Sequence, residues 1–85
     1  MIQAAPESAS VDIDGPQVRR RRKLLGVNIA AFATRCGITE GYLSHIERGR
    51  RKTVSPKVFG QICEALGIED QDRQQLVGNP SEVKA

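Results

Sequence analysis

This 85-residue chain has no tryptophan, one tyrosine, two phenylalanines and a single histidine. A core built from it must therefore be mostly aliphatic and small. No apolar run approaches the ~20 residues that a membrane-spanning helix needs. The start of the chain lacks the basic-then-apolar pattern of a secretory signal. With neither feature, the expected location is the cytoplasm. The two cysteines, Cys36 and Cys63, stand in no CxxC motif and beside no histidine cluster. Free thiols in a reducing compartment are the expectation, with no metal site. One histidine, no paired carboxylates in a plausible site and no glycine-rich phosphate loop leave an enzymatic role almost without support, and no cofactor is expected.

What the chain has is segregated charge. Residues 16–57 hold eleven cations and two anions, a net charge of +9. The flanks hold two cations and eight anions, a net charge of −6. A basic middle of this kind suits a polyanion, although a solvated helix followed by a basic loop would carry the same charges.

Glycines at 26, 37, 49 and 67 punctuate this middle, and a capping residue (Asp14, Asn28, Thr39, Ser55) precedes each segment between them. Pro16 and Pro56 take first-turn positions, where a missing N–H costs nothing. These signals predict helices over about 15–25, 29–36, 40–48 and 56–66, with a weaker fifth over 70–77. No alternating run argues for a strand. The fold class expected is all-α, a compact domain of four to five helices. Residues 1–13 read as a flexible N-terminal arm, 14–78 as the folded domain and 79–85 as a flexible tail. The helical period turns Val18 and Leu25 inward from the first helix, Phe32, Ala33 and Cys36 from the second, and Leu43 and Ile46 from the third. From the fourth it turns Val58, Phe59, Ile62, Cys63 and Leu66 inward.

The second and third segments are joined by Gly37, Ile38 and Thr39 alone. A three-residue turn opening on glycine joins two helices at a steep angle in a helix-turn-helix unit. The stretch NIAAFATRCGITEGYLSHIERGRR, with Ala33 four residues before Gly37 and then Leu-Ser-x-Ile-Glu-x-Gly from Leu43 to Gly49, resembles the helix-turn-helix of the phage-repressor family, of lambda repressor and Cro type. The resemblance covers about residues 15–68, and SPKVFGQICEALGI is similar to that family's fourth helix.

The resemblance implies a sequence-specific DNA-binding transcription regulator, a repressor of phage or mobile-element type. Its third helix would lie in the major groove of double-stranded DNA. The positions turned to bases are then Glu40, Gly41, Ser44 and His45. Glu40 either complements the helix N-terminus or accepts from cytosine N4. Gly41 either admits the backbone closely or merely weakens the first turn. Ser44 bonds a base or a phosphate, or faces water. Backbone contacts fall to Asn28, Thr39, Tyr42, Arg48, Arg50, Arg51 and Lys52, with Asn28 also an ordinary N-cap.

The resemblance further implies that Glu47 pairs with Arg22 between helices, a structural ion pair. The remaining Arg19, Arg20, Arg21 and Lys23 form a basic side of the first helix, of which some could reach phosphates and most form a solvated face that raises local DNA affinity. Ile29 departs from the glutamine usual at its position, and the loop GRRKTVSP is slightly longer than the common form. A homodimer that can form on DNA is expected, with helix 5, Leu76 and Val77 as its surface. The rival reading is an antitoxin or adaptor that binds a protein partner through the same C-terminal part. Location at the nucleoid follows from DNA binding.

Overall fold

The computed structural model describes residues 10–78. Its elements in chain order are β1 (Val11–Asp12), α1 (Gly15–Leu24), α2 (Ile29–Cys36), α3 (Glu40–Glu47), β2 (Thr53–Val54), α4 (Pro56–Leu66) and a 3-10 segment (Asp70–Leu76). The architecture is helical, with the two short strands paired antiparallel, Val11 opposite Val54 and Asp12 opposite Thr53.

Each α-helix begins on a side chain that accepts a hydrogen bond from an otherwise unpaired amide. Asp14 takes Gln17 N at 3.2 Å, Asn28 takes Ala31 N at 2.8 Å, Thr39 takes Tyr42 N at 3.0 Å and Ser55 takes Val58 N at 3.2 Å. Such a cap stabilises by ~1 kcal/mol. Between α2 and α3 the chain reverses through Gly37, whose φ of 73° lies in the left-handed region. Ile38 N then bonds Ala33 O at 3.0 Å, closing the helix end.

The core joins Val18, Phe32, Cys36, Leu43, Ile46, Ile62 and Cys63, all at or near zero exposure, with Ala33 and Phe59 beside them. Burying a large apolar side chain of this kind contributes ~1.5–3 kcal/mol. Both thiols are free and buried. Loss of solvation pushes the Cys36 thiol up to about 11, with the Glu47 charge adding to it, so its thiolate is scarce at neutral pH.

The ion pair between α1 and α3 is the charged member of this interior. Arg22 is 8% exposed and Glu47 5%. Arg22 Nε donates to Glu47 Oε2 at 2.8 Å and Nη2 donates to Oε1 at 3.0 Å, while Nη1 donates to the Val27 carbonyl at 2.9 Å. The fork thus clamps two helices and the turn after α1. Its hydrogen bonds to Glu47 raise the Arg22 pKa against the opposing cost of burial.

Several expectations need correction. Residues 1–9 of the expected arm lie outside the described residues, but Val11 and Asp12 form β1 and Ile13 is buried. Ile13 N bonds Lys52 O at 2.9 Å, Asp14 N bonds Leu76 O at 2.7 Å and Gly78 N bonds Asp12 O at 3.1 Å. Val11 and Ile13 share one side of an extended chain, a pattern too short to register as alternation. The expected tail, 79–85, also lies outside the described residues.

Leu76 is fully buried, and Val77 bridges to Ile13, so Leu76 belongs to the core and not to a dimer or partner surface. The fifth segment is 3-10, not α: it is short, lacks a side-chain cap and has Leu76 as its buried anchor. Leu25, expected inward, is 49% exposed, beside Leu24 at 74%. The helix ends at Leu24, and the inward position one turn earlier is taken by Arg22 for the ion pair.

Two substitutions probe this arrangement. A Cβ on Gly15 would stand 1.8 Å from the Ile46 carbonyl oxygen, where α1 begins against the end of α3. Gly15→Ala should therefore cost ~1–3 kcal/mol or more in urea denaturation, since backbone must move. Arg22→Ala strands the Glu47 carboxylate in the interior and should cost ~3–5 kcal/mol. The double change Arg22→Met with Glu47→Leu should recover most of that loss, because it removes both charges together. A double variant no more stable than Arg22→Ala would refute the stranded-charge account.

Candidate nucleic-acid interface

α3 has two unlike faces. Leu43, Ile46 and Glu47 face inward and are buried. Glu40, Gly41 and His45 are exposed and Ser44 is half-buried, on the sides the core does not use. The helix is short, so it takes its orientation from what it is attached to: Thr39 at its start, Leu43 and Ile46 in the core, and Glu47 on Arg22 near its end.

The basic residues after α3 are held by backbone. Arg50 N and Arg51 N both donate to the His45 carbonyl, at 2.9 and 3.0 Å, folding the loop back onto the helix end. Lys52 is then pinned by the Ile13 amide. Arg48, Arg50, Arg51 and Lys52 remain exposed. The Arg51 guanidinium lies 5.4 Å from the centroid of the Tyr42 ring, a cation–π geometry. Tyr42 is thus turned toward the basic loop through its ring.

At the start of α2, Asn28 uses its carbonyl oxygen on Ala31 N, which leaves its amide hydrogens for an external acceptor. Thr39 likewise accepts through its hydroxyl oxygen and keeps the hydroxyl proton to donate. Asn28 and Ser44 line one open groove together with Ile29, Arg19 and Arg48. Of the candidate contact residues, Asn28, Ser44 and Arg48 are thus brought to one groove. Arg22 and Glu47 lie behind it, in the interior.

Two further features bear on this side. Arg19, one of the helix-1 cations of which some were expected to reach phosphates, stands in the Asn28–Ser44 groove. The N-terminal strand braces the basic loop, for which two alternate apolar residues gave too little signal.

Among the described residues, no helix is long and apolar enough to cross a membrane.

Comparison with known proteins agrees with this geometry. A family model described as a helix-turn-helix domain matches residues 15–76. An uncharacterised HTH-type transcriptional regulator of Mycobacterium tuberculosis is 39% identical over 54 residues, which are 64% of this chain and 38% of that protein. The chain thus spans well under half the length of the curated relatives it matches. Among solved structures, the clp gene regulator ClgR from Corynebacterium glutamicum is 34% identical, with a TM-score of 0.62 over 72% of this chain and 78% of its own. The restriction-modification controller protein C.AhdI from Aeromonas hydrophila is 29% identical, with a TM-score of 0.63 over 69% and 88%. With two helices joined through a left-handed glycine and a family-model match over residues 15–76, the chain belongs to the helix-turn-helix family of phage-repressor type.

Proposed function

We propose that the chain is a sequence-specific DNA-binding transcription regulator that reads the major groove with α3. The observation that carries this reading is the two-sidedness of α3. One face is fixed in the core and by Arg22, while the other is polar, open and continued by four exposed cations. A core-building helix has no use for that second face. A groove-reading helix needs it, with backbone-binding cations alongside.

In this reading Glu40, Gly41, Ser44 and His45 meet base edges. Asn28, Thr39, Tyr42, Arg48, Arg50, Arg51 and Lys52 hold the sugar–phosphate backbone. The ring of Tyr42 steadies the Arg51 guanidinium, so the pair grips as a unit. One α3 reads few base pairs, and two copies on half-sites about one helical turn apart would complete an operator. Repression by occlusion, of phage or mobile-element type, and a cytoplasmic, nucleoid-associated location complete the proposal. Selection of bound sites from random duplex DNA tests it directly. A motif with dyad spacing is the expected result, and recovery of no motif would sink the reading.

Two variants sharpen the test. His45→Ala should change preference at one base pair by about 1–3 kcal/mol, read as the loss of one column of information in the selected motif. An unchanged motif would remove His45 as a reader. Gly41 has open space where a Cβ would stand and no positive φ, so the fold itself does not require glycine there. Gly41→Ala should stabilise the free protein by ~0.5–1 kcal/mol in urea denaturation. If glycine is kept for close approach to DNA, the same variant should bind its selected site about tenfold more weakly, ~1.4 kcal/mol. Greater stability with undiminished affinity would show that close approach is not the reason for glycine.

A further inference from the structure

We infer that the outer side of α1, from Pro16 to Lys23, is a second contact surface for the sugar–phosphate backbone, continuous with the open face of α3. The inference rests on the DNA-binding reading and extends its footprint.

Two open grooves lie side by side here. One is bounded by Asn28, Ile29 and Ser44 on the α3 side, the other by Pro16, Arg20 and Lys23 on the outside of α1. Arg19 and Arg48 line both. They are a common wall, so the groove that holds Ser44 of the proposed base-reading face adjoins the outer side of α1. Glu47 is the one anion that lines these grooves, and both its carboxylate oxygens already accept from Arg22. The grooves are therefore cationic without an internal counter-charge.

Among the described residues the ion pairs are Arg22–Glu47 and Arg73–Asp70. Arg19, Arg20, Lys23 and Arg48 have no anionic partner there, and all four are exposed. Arg19 and Lys23 stand one helical turn apart, a like-charge arrangement that destabilises an isolated helix. Complementing the helix dipole accounts for cations in the last turn of α1, such as Lys23. It does not account for Arg19 and Arg20, a turn earlier. An extended polyanion does account for them: duplex DNA presents one charge per about 1.7 Å of its axis, and binding to its backbone needs no particular side-chain order.

The test compares the full wild-type chain with the double variant R20A/K23A. Both bind a duplex recovered by selection and a random duplex of equal length, across a series of potassium chloride concentrations. The slope of log affinity against log salt should fall by about 0.9 for each phosphate that is no longer neutralised, up to ~1.8 for both. The ratio of selected to random binding should stay the same, and the hydroxyl-radical footprint should shrink at its outer edge. Because both side chains are exposed and their removal relieves like-charge repulsion, the melting temperature should equal or slightly exceed that of the wild type, which removes misfolding as a cause. An unchanged slope and footprint would overturn the inference while leaving the DNA-binding reading intact. A lowered selected-to-random ratio would also overturn it, since bases and not phosphates would then be read. If the wild type itself shows no salt-dependent binding to either duplex, the DNA-binding reading fails, and this inference with it.

Discussion

The orientation of α3 depends on one buried ion pair. Eight residues of helix cannot hold themselves in place, and α3 is anchored apolarly by Leu43 and Ile46, with Tyr42 partly packed beside them. Apolar contacts are non-directional, so they fix depth better than rotation. The Arg22–Glu47 fork supplies direction, because two parallel hydrogen bonds between planar groups tolerate little twist. The third bond of Arg22, to the Val27 carbonyl, couples the same clamp to the turn that leads into α2. A single guanidinium thus sets the relation of α1, the entry to α2 and α3.

Burying this pair is not the cheapest way to stabilise a small domain, since well-packed apolar residues of similar size often do as well. Its value here lies in geometry. A hydrophobic pair of similar volume would fill the same space without the two directional bonds. The contact between Gly15 and the Ile46 carbonyl works in the same direction, because helix backbones can meet that closely only where no Cβ intervenes. Together the glycine at the start of α1 and the fork from its last turn hold α1 along the end of α3 and leave the start of α3 to the turn at Gly37.

The helices were legible because their signals are local. Asp14, Asn28, Thr39 and Ser55 cap what they precede, and α2 and α4 end where Gly37 and Gly67 allow it. The inward positions of α2 and α4 follow from the same period. What was not legible depends on long-range closure. Val11 and Ile13 mean little until Val54 and Lys52 are brought beside them, 40 residues or so later in the chain. Leu76 looked like spare apolar surface because nothing local says that β1 and the 3-10 segment meet. Leu25 failed for the opposite reason: the period places it inward, but the neighbouring inward position had been given to a charge. Periodicity alone could not find the partner of Arg22; the resemblance named it, because the pair joins residues 25 apart on different helices.

The distribution of paired and unpaired charge follows from these constraints. Cations that build the fold have partners: Arg22 on Glu47, Arg73 on Asp70 and Arg21 on Gln75. Those on the side of α3 and the outer side of α1 have none among the described residues, apart from Arg51, which is held by an aromatic ring rather than a counter-charge. Like charges gathered on one side repel, and that repulsion weakens the free protein. The same charges are relieved of their mutual penalty when a polyanion's phosphates lie between them and its condensed counter-ions return to solution. The fold therefore holds its cationic side at a small loss of stability, and the backbone bonds from Arg50 and Arg51 to His45 and from Ile13 to Lys52 keep it in shape against its own repulsion. On the proposed reading, that arrangement would make binding depend on salt more than on conformational change, because the loop is already folded onto the end of α3.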